Sequence, residues 1–163
     1  MASRADAATG SEWTAARGRW LDLGTLEPAA LHAAYAGIAR AQAAAAGPFV
    51  VRAGAARGHL CLGATQAAGE ADLGACRARG WGPWRRPLGG GAVWVDGNQH
   101  PLFIGLPDGE RPRAEAEAAI LQALAATHRA FGLPAEVVGR DVWVAGRKVV
   151  GTGSATLGRT WIM

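Results

Sequence analysis

The chain has 163 residues, enough to bury a core and consistent with one domain rather than two. Half of it is hydrophobic, much of that alanine. No run of 18 apolar residues occurs and the N-terminal MASRADAATGSEWTAARGRW has no signal-peptide core, so a membrane span is excluded and a cytoplasmic protein is expected. Lys plus Arg outnumber Asp plus Glu by 17 to 13, which favours an acidic partner or an anionic ligand; the arginines are scattered, without a basic run interleaved by aromatics, so nucleic acid is not expected.

Residues 1–17 read as a loose tail and residues 18–163 as the domain. The first predicted element is a helix over 26–46, LEPAALHAAYAGIARAQAAAA. Thr25 can cap it, and Pro28 sits in its first turn, where the missing N–H costs little. Leu31, Tyr35 and Ile38 share a face at spacings of four and three, and Gly47-Pro48 ends the helix. Short apolar runs predict strands at 49–53 and 59–62. A short helix follows over 70–80, stopped by Gly80. Residues 84–98 read WRRPLGGGAVWVDGN, in which AVWV can form a strand. HPLFIGLP, 100–107, is a further strand. The helix over 112–131 is the clearest: it opens on proline, carries Glu115 and Glu117 early and His128 and Arg129 late, and is followed by Gly132. Val142-Trp143-Val144 and Lys148-Val149-Val150 flank an Ala-Gly turn and predict a hairpin. The expected fold is α+β, with a mixed, largely antiparallel sheet and flanking helices. The terminal TWIM reads as an apolar last strand without a partner, an edge that proteins normally cover. A second polypeptide or self-association is therefore expected near residues 159–163; the alternative is that 159–163 pair inside the domain.

Three consecutive glycines are entropically costly and call for a reason. No Gly-Lys-Ser/Thr follows them, so they are not a P-loop, and GTGSATLG lacks the third glycine of a dinucleotide fingerprint. Two readings remain. Gly89, Gly90 and Gly91 are either a turn, or a cradle whose bare N–H groups face a phosphate or carboxylate, with Arg86 supplying a fork to the same anion. Arg147 and Lys148 alternate across their strand, and only one can face the sheet interior. Lys148, if it does, suits a developing negative charge on an acyl carbonyl or phosphate. Cys61 and Cys76 lack the spacing of a zinc or redox site and read as small buried hydrophobes.

RRPLGGGAVWVDGN resembles the Arg-Arg-x-x-Gly-Gly-Gly-Ala-Val motif of lipoate–protein ligases, and DVWVAGRKVVGTGSA resembles their second motif, in the same order and at a similar separation. The resemblance covers roughly residues 18–163. It implies the catalytic domain shared by biotin and lipoate ligases and octanoyltransferases. Arg86, Gly89, Gly90, Gly91, Ala92, Val93, Asp96 and Gly151 would contact lipoyl-AMP, and Lys148 would be catalytic beside the activated carbonyl. ATP, Mg²⁺ and lipoate are the implied cofactors, with no protein metal ligand assigned. The implied partner is an acidic lipoyl-carrier domain whose lysine receives the lipoyl group, with an accessory ligase subunit as a further partner. Octanoyltransferases use a cysteine near or beyond the second motif. Cys61 and Cys76 both precede the first, so the ligase type is expected. The chain departs from the family pattern at Val95-Asp96, which lacks the usual His, and at Arg140-Asp141, where Asn-Asp is common. The alternative is a non-catalytic accessory subunit or lipoyl-binding partner of a ligase.

Overall fold

A computed structural model describes residues 18–42 and 47–163. The predicted tail and the 43–46 end of the first predicted helix lie outside the described residues. The first described element is a strand, β1 (Arg19–Leu26), where the sequence suggested a tail running into a helix. Helix α1 (Pro28–Ala41) starts two residues later than expected: Glu27 is its N-cap, with no side-chain cap bond, and Pro28 is the first helical residue. Strands β2 (Phe49–Ala55) and β3 (His59–Leu62) follow. A 3₁₀ turn at Ala68–Glu70 leads into α2 (Leu73–Ala78), capped by the Asp72 carboxylate, which accepts from the Ala75 N–H. Then come β4 (Pro83–Arg85), β5 (Val93–Val95), β6 (Leu102–Pro107) and α3 (Arg113–Ala130), the last within one residue of its predicted ends. Strands β7 (Ala135–Val138), β8 (Asp141–Val144), β9 (Arg147–Val150), β10 (Ala155–Leu157) and β11 (Thr160–Ile162) complete the chain. The predicted hairpin is β8–β9, and its Ala145-Gly146 turn has both residues at positive φ, 48° and 74°.

Among the described residues the strands form three sheets, ordered β1-β2-β6-β11-β10, β4-β3-β5 and β7-β8-β9. Only the β1–β2 and β3–β4 pairs are parallel among the described residues. The fold is thus mixed α+β and largely antiparallel, although divided where one sheet was expected. Adjacent residues of β11 show how the layers stack. Trp161 packs with Ile120, Leu121 and Ala125 of α3, whereas Ile162 packs with Tyr35 and Ala39 of α1. Strand side chains alternate, so α3 and α1 cover opposite faces of the large sheet. Helix α1 also reaches the second sheet, because Leu31 packs with Cys61 and Val95. Helix α3 reaches the third sheet through Val142.

The terminal strand corrects the sequence reading. β11 lies between β6 and β10, and Met163 continues the pairing through two backbone hydrogen bonds with Ile104. Thr160, Trp161, Ile162 and Met163 are all buried. The segment is an interior strand of this domain, so it does not require a second chain to cover it.

Candidate functional site

The glycine run leaves the middle sheet between β4 and β5. Leu88 anchors it in the core below α1. From there it meets two other loops at backbone contact. A Cβ on Gly63 would stand 1.7 Å from the Gly90 carbonyl oxygen, and a Cβ on Gly153 would stand 2.4 Å from that of Gly89. The Gly89 N–H donates to the Ser154 carbonyl at 3.0 Å. Gly90 has φ 97°, a left-handed conformation that disfavours other residues. Gly63 and Gly153 are therefore explained by main chain lying on main chain. Gly91 differs: no atom lies within 4 Å of its Cβ position, and Gly90 through Val93 are exposed.

Two consecutive arginines hold this arrangement. Arg85 donates from Nη1 to the carbonyls of Gly63 and Gln66 at 2.7 and 2.6 Å, clamping the loop after β3. Arg86 is buried; its Nη1 donates to the Cys61 carbonyl at 3.0 Å and its Nη2 to those of Gly89 and Gly91 at 2.9 and 2.8 Å. The fork that sequence reasoning directed at an anion grips the glycine loop itself in this structure.

The second motif meets the first. Lys148, on β9, is half-exposed, and its Nζ lies 2.8 Å from Asp141 Oδ1 across the hairpin. Its chain arches over Gly151, where a Cβ would lie 2.7 Å from Lys148 Cε. Lys148, Gly151 and the glycine loop are thus linked through residues 151–154. Asp96 is engaged locally: it accepts from the Trp94 indole N–H at 3.0 Å and from the Asn98 N–H at 2.9 Å. Ala92 and Val93 lead from the glycine loop into β5, where Val93 pairs with Cys61.

Sequence reasoning missed several residues. Arg85 and Gly63 act only through distant partners, and Asp141 through Lys148 across the hairpin. A buried polar chain was also missed. His59 Nδ1 faces the Arg57 carbonyl at 3.1 Å and must carry a proton to do so. Its Nε2 shares one proton with His32 Nε2 at 2.9 Å, and His32 Nδ1 faces the Tyr35 hydroxyl at 3.4 Å. Burial, then the charges of His59 and Arg86, push His32 down to about 4. Burial pushes the Cys61 thiol up, so it is a poor nucleophile. Cys61 and Cys76 are both buried and free, as the sequence suggested. Among the described residues, no group of three or more His, Cys, Asp or Glu could hold a metal ion, and no helix is long and apolar enough to cross a membrane.

Residues 45–163 match the family described as lipoyl protein ligase A/B catalytic domain. Several solved structures share the fold. A lipoate–protein ligase A bound with ATP is 22% identical with a TM-score of 0.78; the match covers 89% of this chain and 64% of that one. A putative lipoate protein ligase from Thermoplasma acidophilum with bound lipoic acid is 21% identical at TM-score 0.76, covering 89% and 65%. The structure of a bipartite lipoate protein ligase and its E2 lipoyl domain, from the same organism, includes a chain 23% identical at TM-score 0.78, covering 89% and 58%. The chain therefore spans less than two thirds of the length of these matches. No curated protein matches it.

Proposed function

Since the chain belongs to the lipoyl protein ligase A/B catalytic-domain family, we propose that it binds lipoyl-AMP and passes the lipoyl group to a lysine of an acidic carrier domain. The observation that carries this reading is the meeting of its two motifs: Gly89 and Gly90, which lead into the exposed residues Gly91–Val93, lie against the Ser154 and Thr152 carbonyls of loop 151–154, and that loop follows directly on β9, which carries Lys148. Exposed N–H groups beside a fixed ammonium make a cradle for a phosphate joined to an acyl group. Arg86 shapes this cradle by holding the carbonyls of Gly89 and Gly91, which leaves the adjoining N–H groups to the ligand. Ala92, Val93, Asp96 and Gly151 border it.

The reaction in this reading is aminolysis of a mixed anhydride. The carrier's amine nitrogen forms a bond to the acyl carbon, the bond from that carbon to the phosphate oxygen breaks, AMP leaves with the electron pair, and the amine gives up a proton to solvent water. Charge grows on the carbonyl and on the departing phosphate, and Lys148 stabilises it. ATP and lipoate would be the source of the adenylate. Mg²⁺ finds no cluster of protein ligands among the described residues; its oxygen ligands would come chiefly from phosphate and water. An acidic carrier suits the excess of Lys and Arg.

Incubation with lipoate, ATP and an acidic lipoyl domain should add one lipoyl group to the carrier, read by mass spectrometry. Lys148→Ala should abolish transfer while leaving the thermal midpoint nearly unchanged, because a half-exposed ion pair contributes under about 1 kcal/mol. Equal transfer by wild type and variant would remove Lys148 from the mechanism. Binding of lipoyl-AMP without any transfer would favour the reading as an accessory, lipoyl-binding subunit.

A further inference from the structure

Loop 151–154 has no strand or helix of its own, yet it supports the glycine run from below. Something outside the backbone ladder must hold it. The described contacts converge on Arg140, the residue just before β8. Its Nη2 donates to Ser154 Oγ at 2.9 Å, and its carbonyl accepts from Thr152 Oγ1 at 2.7 Å. Its Nε pairs with the Glu117 carboxylate on α3. That carboxylate is largely covered, at 17% exposure, and α3 is fixed in the core by Ile120 and Leu121. Ser154 and Thr152 in turn present their carbonyls to the first motif, to the Gly89 N–H and to the space beside Gly90.

We propose that Arg140 is a positioning residue for the adenylate cradle, tying loop 151–154 to helix α3 so that the glycine run keeps its shape. The proposal rests on the reading of that run as the ligand site. Arg140 and Asp141 divide the second motif between them. Asp141 holds the Lys148 ammonium, whereas Arg140 holds the loop beyond it. An isolated exposed ion pair does little. Here the carboxylate is largely covered although the arginine is mostly exposed, and the same arginine bonds the loop from side chain and main chain together, so the pair restricts a segment that lacks regular hydrogen bonding. The consequence is specific. Loss of the tie frees the loop and weakens ligand binding, but leaves Lys148 on Asp141 and the transfer step of bound adenylate intact.

The test uses a non-hydrolysable lipoyl-adenylate analogue and the full chain. Arg140→Ala should weaken binding of the analogue about tenfold, the scale of a lost charge-assisted hydrogen bond. Single-turnover transfer from saturating lipoyl-AMP should change less than about twofold, and Arg140→Lys should recover part of the affinity. Glu117→Gln combined with Arg140→Ala should be no worse than Arg140→Ala alone. Amide exchange at Gly89 should accelerate in Arg140→Ala while that at Met163, bonded to Ile104 in the large sheet, stays unchanged. Unaltered affinity, or a transfer rate that falls with it, would overturn the proposal. So would equal acceleration at Gly89 and Met163, which marks a general loss of stability. If the wild type binds no analogue, the ligand reading fails, and the exchange comparison alone decides whether Arg140 holds the loop.

Discussion

At Gly63 the demand for glycine is absolute, because the atom that a Cβ would meet, the Gly90 carbonyl oxygen, belongs to a backbone that Arg86 pins on both sides through Gly89 and Gly91. No rotamer change can relieve such a clash. Gly63→Ala should cost on the order of 2 kcal/mol in urea unfolding, the scale of overpacking a rigid site. Gly37→Ala provides the contrast. Gly37 lies mid-helix in α1, exposed, with nothing within 4 Å of its Cβ position. That substitution should stabilise the protein by about 0.5–1 kcal/mol. Equal unfolding midpoints for the two variants would contradict this account of the glycines.

Between elements, the chain Tyr35–His32–His59 joins α1 to β3 below the glycine run. Its hydrogen bonds are complete with His32 neutral. A proton on His32 Nδ1 would remove the acceptor facing Tyr35, beside a second imidazole and the Arg86 guanidinium. The folded value near 4 lies below the ordinary 6.5. Between those values the unfolded chain binds more protons than the folded one, so stability is full above about 6.5, falls with pH through the window, and levels off below about 4. Partial exposure reduces the contribution to the order of 1 kcal/mol. Urea midpoints at pH 7 and pH 5 should show this decline in the wild type, and His32→Gln should flatten it. A slope unchanged in the variant would assign the pH dependence to other groups.

Across the whole molecule, β11 is the strand on which the layers depend. It sits between β6 and β10, sends Trp161 toward α3, and sends Ile162 toward α1. Removal of residues 160–163 would strip β6 of one neighbour, leave β10 without any, and open both cores at once. The truncated chain should show no cooperative thermal transition by circular dichroism. A cooperative transition near the wild-type midpoint would mean that the large sheet closes without β11.

Local chemistry alone specified the helices around Tyr35 and Ile120, the Ala145-Gly146 hairpin, the buried cysteines and the two motifs, because capping, 3.6-residue periodicity and turn residues act within a few positions. It also ordered the motifs correctly along the chain. Strands β1, β4, β7 and β10 carried weaker marks: β4 and β10 have three residues each, and β1 bears Asp22 and the positive-φ Gly24 within an irregular pairing to β2. Such strands are held by the partner they find, and the partner is distant in sequence. The same reason explains TWIM, whose apolar pattern reads as an edge until β6, more than fifty residues earlier, lies beside it. The tertiary structure likewise decided that Arg86 grips backbone carbonyls, that Lys148 leans on Asp141, and that Gly63 and Gly153 close on the glycine run. The glycine closures join loops far apart along the chain, and the Arg86 and Lys148 contacts, although nearer in sequence, depend on which way a side chain turns, so residue type shows that a charge or a bare backbone is present, and only folding shows what it meets.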